Sequence, residues 1–150
     1  MEENNEITIP DKVPHLIHGC PKNLHPTHTH GLAKVGLPEL FIHGKCYGVV
    51  DNANLINMIY VYLFNYQSEW NFVKNKMEIE IPIWDQMVCI RPVDESFAGV
   101  RIAFSDNPSE TGYAQIYIKN ETHVLHDDYF LKEDQLAKDC DGCELQCSIH

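Results

Sequence analysis

The stretch from His25 to Gly44 reads as strand, turn, strand, and no other segment restricts the fold as strongly. A first strand is expected over Thr27 to Leu32, and a second over Glu39 to Lys45, where Leu40, Phe41 and Ile42 form a short apolar run. Gly36 and Pro38 supply the turn chemistry near Val35-Gly36-Leu37. Two strands this close in sequence commit the chain to a sheet, and a sheet must bury a face against another layer.

The rest of the chain supplies that layer. Asp51 or Asn52 can cap a segment from Ala53 to Tyr66 whose Leu55, Ile56, Met58, Ile59, Val61, Leu63 and Phe64 cover nearly every face, so one long buried helix is expected over about 52–66. After Trp70 the pattern shortens to Met77–Ile83, Met87–Ile90, Val100–Phe104 and Tyr113–Ile118, divided by Pro82, Pro92, Pro108 and Gly112. Asp127 to Lys138 mixes charged and apolar residues as a short C-terminal helix would. His15 to Pro26, with Gly19, Pro21 and Pro26, reads as loop. The expectation is an α+β fold with a mostly antiparallel sheet: a polar arm over 1–14, one domain over 15–138 and a Cys-rich tail over 139–150. A chain of 150 residues buries about two-thirds of its unfolded surface, enough for one core.

Charge narrows the partners. With 22 acidic against 11 basic residues and a net charge of -11, long-range repulsion disfavours DNA, RNA and anionic membranes. A basic protein, a cationic ligand or a metal is electrostatically easier, and a local pocket can still accept a small anion. The opening Met1-Glu2-Glu3-Asn4-Asn5-Glu6 has neither the basic head nor the apolar core of a secretory signal. No apolar run approaches the roughly 20 residues of a membrane span. A cytoplasmic location is therefore expected, and the six cysteines read as thiols or metal ligands rather than as a disulfide framework.

The residues His28-Thr29-His30-Gly31-Leu32 and Pro38-Glu39-Leu40 resemble the hallmark of an uncharacterised bacterial and phage domain family, in which aromatic-Thr-x-Gly-Leu is followed by Pro-Glu-Leu. Gly44, the helix over Asn52 to Tyr66 and the late strand Tyr113-Ala114-Gln115-Ile116-Tyr117 extend the likeness over roughly two-thirds of the chain. It departs from the pattern in two places: His28 stands where the aromatic is expected, and Ile118-Lys119 replaces a Trp-Pro. The resemblance implies the fold and carries no established reaction or ligand.

Two clusters could carry metal chemistry. On strands, His28 and His30 share a face, as do Glu39, Phe41 and His43. If those faces coincide, three imidazoles converge with Glu39 as general base, and three nitrogens with an open fourth position are what a catalytic zinc ion requires. His25 lies close by in sequence. The alternative is that these histidines bond to backbone or solvent. In the tail, Cys140, Cys143, Cys147 and His150 are four soft ligands suited to zinc, and Cys20 or Cys46 could complete such a site. A flexible thiol-bearing terminus is the competing reading.

His123, His126, Asp127 and Asp128 form an acidic turn that reads first as solvated charge. No serine sits in a nucleophile elbow, and phosphate-binding and dinucleotide glycine patterns are both missing. The leading functional expectation is a non-catalytic protein that captures a small molecule or a protein partner through the face of Thr29, Glu39, Gln115 and Tyr117. Small acidic proteins of this kind also act as antagonists of toxins or defence systems, an analogy only. A zinc hydrolase using His28, His30 and His43 is the first alternative. An assembly protein forming homo-oligomers through a zinc-binding tail is the second.

Overall fold

A Thr-Glu clamp joins the two strands predicted around the central turn. The computed structural model describes residues 16–19, 25–65, 78–104 and 108–137. In it β1 (Leu16–His18), β2 (Thr27–His30) and β3 (Glu39–Ile42) form an antiparallel set, with a single 3-10 turn, Leu32–Val35, between β2 and β3. The Thr29 hydroxyl donates to Glu39 Oε1 at 2.6 Å and accepts from the Leu40 amide at 3.0 Å. The Glu39 carboxylate also accepts the amides of Gly31 (3.0 Å), Leu32 (3.3 Å) and Ala33 (3.4 Å). Those amides open the 3-10 turn and have no partner within it, so a buried carboxylate satisfies them. Gly31 sits at φ 115°, a conformation that L side chains rarely adopt.

The sheet has six strands in the order β1-β2-β3-β6-β5-β4, adding β4 (Ile79–Ile83), β5 (Gln86–Val93) and β6 (Tyr113–Ile118). Two antiparallel sets of three meet at one parallel pair, β3 beside β6. A parallel neighbour requires a long crossover. That crossover carries α1 (Val49–Asn65), the β4–β5 hairpin and α2 (Ala98–Phe104). After β6 come a 3-10 turn, Thr122–Leu125, and α3 (Asp127–Ala137). The β4–β5 turn is Trp84-Asp85, both left-handed at φ 54° and 61°, with the Trp84 ring on Tyr47 at 5.3 Å.

Helix α1 covers one sheet face, where Leu55, Ile56, Ile59 and Leu63 pack on Leu40, Ile42, Ile90, Ala114 and Ile116. Asn52 replaces several turn hydrogen bonds at its start, accepting from the Tyr47 amide and donating to the carbonyls of His43 and Gly44. The opposite face carries Phe41 and Tyr113, covered by Ala98, Val100, Ala103 and Phe104 of α2 and Phe130 of α3. Gly99 permits this approach, because a Cβ there would lie 2.8 Å from Phe41 and 3.1 Å from Phe97. Among the described residues no helix is long and apolar enough to cross a membrane.

The α+β class, the mostly antiparallel sheet, the buried long helix and the C-terminal helix agree with the sequence reading. Two assignments are corrected. Leu16–His18, read as loop, is an edge strand held by its register with β2, which a three-residue segment does not announce. Val100–Phe104, grouped with the strand-like stretches, lies in α2. There Val100, Ala103 and Phe104 fall on one helical side, and the Asp127 carboxylate accepts the first helical amide, of Ala98, at 3.0 Å. The polar arm over 1–14, Cys20 and the tail ligands Cys140, Cys143, Cys147 and His150 lie outside the described residues.

Candidate functional site

Two concentrations of polar side chains lie on the sheet face under α2 and α3, one beside Phe97 just before α2 and one beside Phe104 at its end. Strand alternation sets this up. Along β5 and β6 the cross-strand pairs Cys89 with Tyr117 and Arg91 with Gln115 project to that face, as do His28 on β2 and Phe41 on β3.

At the β5–β6 side, Pro38, Pro92, Val93, Phe97, Tyr113 and Leu125 supply the apolar walls of a cleft of about 630 Å³. Arg91, Glu78, Asp94 and Asp127 supply its charges. This size suits a small organic molecule. Arg91 is fixed from three directions: Nε donates to Gln115 Oε1 at 2.8 Å, Nη2 donates to the Leu125 carbonyl at 3.2 Å, and the guanidinium lies 5.1 Å from the Phe97 ring centre. Desolvation pulls its pKa down while Tyr117, Glu78 and Asp127 oppose that pull; guanidinium remains charged at neutral pH. The Tyr117 hydroxyl donates to Glu78 Oε2 at 2.5 Å, and burial with this bond pushes the phenol pKa up.

Gln115 and Tyr117 therefore take a different place from the ligand-reading one expected of them. Gln115 is buried with both ends of its amide used, by Arg91 and by the Val124 carbonyl. It holds Arg91, and Tyr117 holds Glu78. Arg91 and Glu78 carry no signal in the sequence, because they meet only through the pairing of β4, β5 and β6. Thr29 and Glu39 are likewise occupied, since their polar atoms form the β2–β3 clamp.

At the end of α2, the β1–β2 register sets His18 opposite His28, with His30 one same-face position along. Their ring centres are 4.5 to 5.2 Å apart. Phe104 closes over them, 5.1 Å from His28 and 5.8 Å from His30. Burial lowers the His28 pKa from 6.5 to about 3, opposed by the bond to Pro26, and lowers that of His30 to about 4 with help from His18.

His43 is separate from this group, which corrects the expected set of His28, His30 and His43. It lies just beyond β3, with Nε2 3.1 Å from Glu121 Oε1 and Nδ1 3.2 Å from the Tyr129 hydroxyl. Its pKa is lowered by burial, which outweighs the pull of Glu121. Cys46 adjoins His43 and Glu121. Its thiol is pushed up to about 12 by burial and then by Glu121, so it is a protonated, unreactive thiol at neutral pH. His25 pairs with Asp134 at 3.7 Å. In the acidic turn, the His123 and Tyr129 rings meet edge-on at 5.3 Å, and Asp127 and Asp128 open α3, where negative charge suits the helix dipole.

No protein-family model, curated protein or solved structure matches this chain.

Proposed function

We propose that this is a non-catalytic binding protein that captures a small amino-acid-like zwitterion in the cleft beside Arg91. One observation carries the reading: a rigidly held guanidinium shares a 630 Å³ cleft with the carboxylates of Glu78, Asp94 and Asp127, against apolar walls. Such a cleft complements a molecule with a carboxylate at one end, an ammonium at the other and an apolar body between. Two of the five guanidinium N–H donors are engaged, leaving others for a ligand carboxylate.

Thermal-shift screening of apolar amino acids beside their decarboxylated and N-acetylated analogues, followed by calorimetry, tests this reading. The intact zwitterion should bind best, and Arg91→Met and Asp127→Asn should each weaken it about tenfold, near 1.4 kcal/mol. Asn at 127 keeps an acceptor for the Ala98 amide and removes only the charge. If the decarboxylated or acetylated analogues bind as tightly as the parent, or no amino acid binds at millimolar concentration, the reading is wrong.

A further inference from the structure

We propose that His18, His28 and His30 form a binding site for a divalent transition metal of the zinc class at the β1–β2 edge. The site is independent of the Arg91 cleft and rests on different observations.

A nitrogen from each of the three rings lies within 4.8 Å of the other two. Two nitrogens bound to one zinc ion are about 3.3 Å apart in tetrahedral geometry. The rings therefore close on an ion through small side-chain rotations, which the partly exposed His18 and His30 can make. Their backbones need no movement, because the antiparallel register already holds them on one face.

His28 supplies the decisive feature. Its Nδ1 is 3.0 Å from the Pro26 carbonyl oxygen, which can only accept, so Nδ1 carries the proton. Nε2 is left with a lone pair. That nitrogen is buried, in a residue with no exposed surface, and has no hydrogen-bond partner among the described residues. An unsatisfied buried acceptor costs free energy and is uncommon in folded proteins. A bond from one imidazole nitrogen to a backbone carbonyl is also how proteins set the tautomer and orientation of a metal-binding histidine. The Pro26 carbonyl thus does for His28 what an outer-shell partner does at a zinc centre, and Phe104 forms a dry wall behind it.

Three imidazole nitrogens suit zinc, copper, nickel or cobalt over magnesium or calcium, which prefer oxygen ligands. The set leaves a fourth position for water or an exogenous group. Glu39 is no free base for that position, since both its oxygens are taken by the β2–β3 clamp.

The test uses untagged full-length protein carrying Cys140→Ser, Cys143→Ser and Cys147→Ser, so that tail thiols do not compete. After stripping with EDTA, zinc affinity is measured by competition with a chromophoric chelator, and cobalt is added separately for its visible spectrum. The expected result is one equivalent of zinc, with cobalt giving d–d bands and no thiolate charge-transfer band. His18→Ala and His30→Ala should each weaken zinc by about 100-fold or more, given that losing even an outer-shell partner costs 10- to 100-fold. Both substitutions are at incompletely buried positions, and unchanged circular dichroism in EDTA verifies their folding. Zinc binding that persists in the folded His18→Ala/His30→Ala double variant overturns the assignment. So does a parent protein that takes up no zinc at micromolar concentration.

Discussion

Replacing Glu39 by Gln should destabilise the protein by about 2 to 4 kcal/mol, although it changes one atom and no volume. Oε1 accepts from the Thr29 hydroxyl and the Leu32 amide, and Oε2 from the amides of Gly31 and Ala33. A Gln amide keeps one acceptor oxygen and sets an NH₂ group in place of the other. In the Oε2 position that group confronts two amide donors. In the Oε1 position it faces the Leu32 amide and a Thr29 oxygen already accepting from Leu40. In either orientation two donors lose their acceptor and the remaining bonds lose their charge assistance. Thr29→Val removes the acceptor of the buried Leu40 amide and should cost about 1 to 3 kcal/mol. Because Thr29 and Glu39 share a bond, the double variant should be less unstable than the sum by about 1 kcal/mol. Urea unfolding at neutral pH with EDTA, followed by circular dichroism, measures all four proteins. A Glu39→Gln variant within about 0.5 kcal/mol of wild type, the range of ordinary surface changes, would refute the clamp.

Two further outcomes follow from burial. Leu40 has no exposed surface, so Leu40→Ala should lower the unfolding free energy by about 2 to 5 kcal/mol, read from the same urea curves. His28 should make the metal-free protein acid-sensitive: its pKa falls from 6.5 to about 3 on folding, so the unfolded chain takes up the proton first. Its contribution is complete above pH 6.5 and drains away as pH falls toward 3, amounting to about 2 kcal/mol lost by pH 5. His28→Gln should reduce that slope between pH 7 and 5, the remainder belonging to His30 and His43, whose pKa values burial also lowers, and an unchanged slope would remove His28 as a source.

Much of the fold was legible because it follows from local pattern. The Leu40-Phe41-Ile42 run, the all-round apolar segment in α1 and the Tyr113–Ile118 strand each display their state within a few residues. Leu16–His18 and α2 did not, since a three-residue edge strand exists only through its neighbour and a seven-residue helix depends on its cap from Asp127. The same division separates the sites. His28 and His30 are neighbours by alternation alone, whereas His18 joins them only through the β1–β2 register.

Sequence alone determined the α+β class and the acidic charge, because period and composition act before any distant contact forms. Tertiary structure decided the rest. It turned Glu39 from a candidate base into a structural acceptor, and it separated His43 from His28. It also brought Arg91 to the cleft on the β5–β6 pairing. Register and crossover decide which side chains meet across a sheet, and no run of neighbouring residues encodes them.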